Sequence, residues 1–162
     1  MYSRVMVAID GSSIAMRALG EAVRMAKGQG AGLVLTYVIE YPHIYVQDRG
    51  YDPAPVTEAL LDDARRVLAQ AQSFARDEHI ASHSLLIDDR NCTDSVAAQL
   101  QKAADQCKVD LVVLGTHGRG GFKRLLLGSV AEAFVRASRR PVLLVPGRPE
   151  AKVERAQTAT RQ

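Results

Sequence analysis

Asp110-Leu-Val-Val-Leu-Gly-Thr-His-Gly118, followed after nine residues by Gly128-Ser-Val-Ala-Glu-Ala-Phe-Val135, decides how this chain is read. The apolar run Asp110–Gly115 predicts a buried strand, and the segment Ser129–Ala137 predicts a helix. Between them lie Gly115, Gly118 and Gly128, with Ser129 at the helix start. Glycine has no Cβ, so its backbone N–H can approach another group closely. A helix start also presents amides that have no acceptor inside the helix. A strand, a glycine-rich loop and a helix N-terminus in that order form an anion cradle, and they point to phosphate binding.

The same alternation extends in both directions from this stretch. Arg4-Val-Met-Val-Ala-Ile9 is a short apolar run ending at Asp10-Gly-Ser12, a strand followed by a turn and a helix cap. Helical spacing of Ala15, Ala18/Leu19, Ala22/Val23 and Ala26 predicts a helix over 13–27 that stops at Gly28. Leu33–Ile39 is the second strand. Residues 40–56 contain three prolines and no period, which predicts a long loop. That loop gathers Tyr41, His43, Tyr45 and Tyr51, and two readings stay open for it: a lid over the cradle, or a variable surface loop. Thr57 opens a long helix with Leu60/Leu61, Ala64, Val67/Leu68, Ala71 and Phe74/Ala75 on one stripe. Ser84–Ile87 is the third strand. Thr93 caps a helix whose Val96, Ala97, Leu100, Ala104 and Cys107 face inward, and Pro141–Val145 is the last strand.

Strands alternating with helices, the strands being almost continuously apolar, argue for a parallel sheet covered on both faces. In open sheets of this kind ligands bind beyond the carboxyl ends of the strands, where the strand order reverses. With the order 3-2-1-4-5, the ends of the first and fourth strands, Asp10 and Gly115, flank that point.

Composition narrows the class. The chain has 162 residues, 47% of them hydrophobic, enough for one compact domain. Its net charge is +3, and the tail 147–162, expected to be disordered, supplies +2 of it. A basic surface for nucleic acid is therefore not supported. Cys92 and Cys107 form no metal-ligand spacing and read as two reduced thiols. No run approaches membrane-spanning length and no signal-like h-region opens the chain, so the expectation is a cytoplasmic protein without a membrane partner.

From Arg4 to Pro146 the sequence resembles the universal stress protein family. Val7-Ala-Ile-Asp-Gly-Ser12, the block 110–118 and Arg140-Pro-Val-Leu-Leu-Val-Pro146 carry the resemblance. Members that bind ATP carry Gly-x2-Gly-x9-Gly-[Ser/Thr], which Gly115, Gly118, Gly128 and Ser129 satisfy. The resemblance implies a single three-layer α/β domain over 1–146, similar to the adenine-nucleotide α-hydrolases. Its five-stranded parallel sheet would have the order 3-2-1-4-5 and carry four helices.

The resemblance also implies roles. Asp10 and Val38 would line the adenosine, with Ala8, Leu114 and Gly115 beside it. Gly118, Gly128, Ser129 and Val130 would face the phosphates through backbone N–H groups and the Ser129 hydroxyl. Arg119 would reach the outer phosphates, with Lys123 and Arg124 in the same insert. Magnesium or manganese would be held through the phosphates, with no protein metal site and no catalytic residue named. His117 reads as a loop residue rather than a general base. The segment 88–92 lacks the glycine and proline that family members often have there.

The implied activity is ATP (or ADP or AMP) binding by a stress-response regulator acting on an unidentified protein partner, with at most slow hydrolysis. No Gly-Lys-[Ser/Thr] follows a glycine loop, so the chain is not a P-loop NTPase. Two alternatives stand beside it: an AMP-transferring or ATP-hydrolysing enzyme of the α-hydrolase group, and a nucleotide-free interaction module. A homodimer through the edge strand Val142–Val145 is expected in either binding class.

Overall fold

The computed structural model describes residues 1–41, 54–90, 93–117 and 127–147. Nine elements alternate in order: β1 (Arg4–Ala8), α1 (Ser13–Gln29), β2 (Gly32–Val38), α2 (Ala54–Asp77), β3 (Ser82–Ile87), α3 (Val96–Gln106), β4 (Leu111–Gly115), α4 (Ser129–Ala137) and β5 (Val142–Val145). The five strands form one parallel sheet in the order β3-β2-β1-β4-β5, as the sequence predicts. β1 is central, pairing Val5 with both Leu33 and Leu111, so the chain winds outward first to one side and then to the other.

Alternation along each strand divides the core between the two faces. Val5, Val7, Leu33, Leu35, Leu111 and Val113 pack under α1 and α2, together with Leu19, Val23, Val67 and Leu68. Met6, Val34, Val112 and Leu114 face the other way, under Leu100 and Ala104 of α3 and Phe134 of α4. Phe134 is completely buried, and the Gln101 amide donates to its carbonyl at 3.0 Å, docking α4 on α3.

Local chemistry moves several element boundaries from their expected positions. α1 runs through Gly28 and stops at Gly30, whose φ of 68° is the left-handed conformation that glycine adopts without strain, and whose N–H bonds the Ala26 carbonyl. α2 begins at Ala54, three residues before Thr57. Pro55 is compatible with this because an amide in the first helical turn has no intrahelical acceptor to lose. The α3 cap is Ser95, not Thr93; its Oγ accepts from the Ala98 N–H at 3.3 Å. Phe74, expected on the buried stripe of α2, is half-exposed, and Ala75 takes the buried position.

β2 and β3 begin earlier than expected, at Gly32 and Ser82, while β4 and β5 begin one residue later. Asp110 therefore sits just ahead of β4. Its carboxylate accepts from the Ser3 N–H (2.8 Å), the Ser3 hydroxyl (2.9 Å) and the Arg4 N–H (3.1 Å), stitching the start of β1 to its neighbour. Burial pulls the Asp110 pKa upward, but these donors outweigh it and hold the group below its ordinary value.

Candidate functional site

The reversal of strand order between β1 and β4 opens a cleft of about 650 Å³ beyond the carboxyl ends of the strands. Ala8 at the end of β1 and Asp10 just beyond it, Val38 from β2, Leu114 and Gly115 from β4, and Gly128, Ser129 and Val130 at the start of α4 all line it. These segments, from Ala8 to Val130, are far apart in the chain, and the topology alone brings them together. Gly118 and Arg119 lie outside the described residues, as do Lys123, Arg124, Cys92, His43, Tyr45 and Tyr51.

The β1–α1 turn is fixed by three groups. Gly11 adopts φ 82°, Asp10 Oδ1 accepts from the Ser12 N–H at 2.9 Å, and Ser12 Oγ accepts from the Ala15 N–H at 3.1 Å. Asp10 therefore shapes the turn as well as facing the cleft. Its turn bond orients the carboxylate at the end of the central strand.

Close packing places the two described glycines of the spaced motif. A Cβ on Gly115 would come within 2.6 Å of Ile14 Cγ2 and 3.2 Å of the His117 carbonyl oxygen. A Cβ on Gly128 would lie 3.1 Å from the Thr116 carbonyl oxygen. The Gly128 N–H already donates to that Thr116 carbonyl at 2.7 Å, so it is engaged within the fold rather than directed at a ligand. Gly128 is the N-cap of α4 and no side chain caps this helix. Glu132 is the first residue whose N–H finds an intrahelical acceptor, the Gly128 carbonyl at 2.9 Å. The Ser129, Val130 and Ala131 amides consequently have no acceptor within the helix, and all three residues line the cleft. The start of α4 therefore presents amides and a positive dipole end to the cleft, which suits an anion.

The wall beneath is apolar. Val96 and Leu100 of α3 join Ala8, Val38 and Leu114. Thr36, almost fully buried in β2, also lines this wall and is a site residue that sequence patterning passed over; its signal was one hydroxyl within an apolar run. His117 enters the lining too. Its Nδ1 lies 3.0 Å from Thr116 Oγ1, and its Nε2 is buried with no partner among the described residues. Beyond the ends of β2 and β3, the Tyr41 hydroxyl donates to Asp88, whose carboxylate also pairs with Arg90 at 3.7 Å. Burial, then the Asp88 carboxylate, pushes the Tyr41 pKa up against the lowering influence of Arg90. This clasp joins the ends of β2 and β3.

Among the described residues no group of three or more His, Cys, Asp or Glu side chains is placed to hold a metal ion, and no helix is long and apolar enough to cross a membrane. The described lining of the cleft also contains no lysine or arginine.

Known proteins with this sequence pattern and fold agree on one family. The profile described as the Universal stress protein family matches residues 1–146. A universal stress protein of Thermus aquaticus is 32% identical over 145 residues, covering 90% of this chain and 99% of that protein. The crystal structure of a universal stress protein family member from Burkholderia pseudomallei is 34% identical, with a TM-score of 0.75 over 90% of this chain and 97% of that one. A universal stress protein crystallised in complex with cAMP is 25% identical, with a TM-score of 0.62 over 90% and 97% of the two chains. Sheet order, sequence pattern and relatives matched almost end to end lead to one conclusion: the chain belongs to the universal stress protein family.

Proposed function

We propose that this chain binds an adenine nucleotide, ATP in the first instance, in the cleft between β1 and β4 and acts as a nucleotide-dependent regulator of the stress response. The observation that carries the reading is the composition of the cleft. An apolar wall of Ala8, Val38 and Leu114 suits a base, the Asp10 carboxylate suits ribose hydroxyls, and the uncapped start of α4 with the Ser129 hydroxyl suits phosphates. The cAMP complex of a related protein supports an adenine ligand. Magnesium or manganese would enter with the phosphates, held by them and by water.

The same composition argues for holding ATP rather than consuming it. Fast phosphoryl transfer needs positive charge on the transferring group and an oriented nucleophile. Among the described residues the cleft lining offers no lysine or arginine.

The outer edge of β5, which no strand among the described residues covers, supports a homodimer. Carbonyls of Pro141 and Val145 accept from Val112 of β4 and from Thr116 just past it, so the backbone groups of the alternate residues Val142 and Leu144 point away from β4, toward the outer edge. Pairing two such edges would satisfy both. A cytoplasmic location accords with a nucleotide-binding role of this kind.

Native mass spectrometry of freshly purified protein, followed by calorimetric titration with ATP, ADP and AMP, tests the reading. Co-purified or micromolar adenine nucleotide is the expected result. Failure to bind any of the three at millimolar concentration overturns it and favours a nucleotide-free interaction module. Incubating the ATP complex then separates a regulator, in which ATP persists over hours, from an enzyme releasing ADP and phosphate or AMP and pyrophosphate.

A further inference from the structure

Thr36 stands apart in the core. Among the described residues it is the one polar side chain that is fully buried, at 1% exposure, and its Oγ1 has no hydrogen-bond partner. Neither folding nor packing accounts for the hydroxyl. Valine has the same branched shape and the same liking for a strand, without a polar atom to bury. A buried hydroxyl without a partner is destabilising, so such atoms are rare in native proteins.

Its position supplies a use. Thr36 lies mid-strand in β2, paired with Ala8 of β1 on one side and Leu85 of β3 on the other. Strand alternation sends its side chain to the same face as Val34 and Val38, toward α3, and it lines the cleft beside Ala8 and Val38. Ribose hydroxyls and phosphates have polar counterparts elsewhere, at Asp10 and at the start of α4. The apolar wall is where a planar base would insert, and among the strand residues that form this face of it, Ala8, Thr36, Val38 and Leu114, the Thr36 hydroxyl is the one side-chain polar group.

Resting on the adenine-nucleotide reading of the cleft, we infer that Thr36 is a specificity-determining residue whose hydroxyl hydrogen-bonds the edge of the bound nucleobase. An aminopurine edge carries ring nitrogens that accept and an exocyclic amine that donates, and a threonine hydroxyl serves either. The unpartnered atom of the ligand-free protein is then satisfied by the ligand. A base edge lacking such groups would forgo that bond and bind more weakly.

The test uses the full chain as wild type, Thr36→Val and Thr36→Ser, titrated with ATP by calorimetry, alongside urea unfolding without ligand. Wild type binding no ATP, ADP or AMP would remove the nucleotide reading and this assignment together. With wild type binding, the assignment expects Thr36→Val to bind ATP at least threefold more weakly, the effect of one neutral hydrogen bond, and Thr36→Ser to stay within threefold of wild type. It also expects ligand-free Thr36→Val to be no less stable than wild type. An affinity of Thr36→Val within threefold of wild type, a loss in Thr36→Ser equal to that in Thr36→Val, or a ligand-free Thr36→Val less stable than wild type each overturns the assignment and leaves the nucleotide reading standing.

Discussion

Replacing Gly115 by alanine tests whether this glycine is required by packing. The added Cβ would sit 2.6 Å from Ile14 Cγ2, about 1 Å inside the usual 3.5–4.0 Å carbon–carbon contact. Ile14 cannot swing clear, because Cγ2 hangs on a branched Cβ whose χ1 is held in one well inside a helix. The His117 carbonyl oxygen at 3.2 Å and the Ile14 carbonyl carbon at 3.4 Å close the other directions with backbone. The end of β4 must therefore move away from α1. Overpacking of this kind costs about 1–3 kcal/mol. With a urea m-value of about 2 kcal/mol/M, the unfolding midpoint of ligand-free protein should fall by roughly 0.5–1.5 M.

A double-mutant cycle isolates the contact. Ile14→Ala removes Cγ2, so in that background Gly115→Ala should cost less than about 0.5 kcal/mol, and the two changes should be strongly non-additive. Urea unfolding followed by circular dichroism on the four proteins gives the cycle. An equal cost for Gly115→Ala in both backgrounds, or none in either, would refute the reasoning.

Three further outcomes follow from other parts of the molecule. Asp110→Asn should lower stability at pH 6 by about 1 kcal/mol, since three donors lose a charged acceptor exposed enough for solvent to weaken the effect. The folded-state pKa of Asp110 lies below its unfolded value near 4, so its contribution is present above about pH 4 and fades as the pH falls through the lower folded value; the stabilities of wild type and Asp110→Asn should converge on acidification, and a gap that widens would contradict the sign. Ser12→Ala should cost about 1 kcal/mol through loss of the α1 cap, read as a lower thermal midpoint, whereas an unchanged midpoint would show that the cap is replaceable. Leu144→Pro removes an N–H that faces the open edge while leaving the β4–β5 ladder its donors, so sedimentation should report a folded monomer, and an undiminished dimer mass would reject the β5 interface.

The architecture was legible because most strands are nearly continuous apolar runs and each helix carries its own stripe. The strand order was legible through the family resemblance, because a parallel sheet that reverses once can do so in more than one order. Boundaries were less legible where two local signals competed. Pro53 and Pro55 read as loop, yet a proline in a first helical turn is compatible with the helix. Thr93 and Ser95 both qualify as caps, and only the tertiary path chooses between them. Phe74 and Ala75 share one stripe at helical spacing, and the sequence does not say which of them meets the sheet.

Within the site, the cleft-facing positions from Ala8 to Val130 follow from the strand ends and the start of α4. What spacing could not convey is the direction of individual amides. Gly128 sits in the expected place with its N–H turned to Thr116, because a helix start is defined by hydrogen bonds that no residue pattern encodes. Thr36 was overlooked for the opposite reason, since one hydroxyl hardly alters the hydrophobic character of a strand.

Ile14 touches more than one neighbour. The positions where a Cβ would sit on Gly115, at the end of β4, and on Gly147, just past β5, both abut this side chain, the second at 3.2 Å from its Cδ1. One turn further along α1, Arg17 donates to the Pro146 carbonyl. The first turns of α1 thus act as a common bearing on which the mouth of the cleft and the departing chain both rest. Residues 14, 115 and 147 are therefore free to change only as a set, and any ligand that shifts the end of β4 against α1 also bears on the point where the chain leaves the sheet.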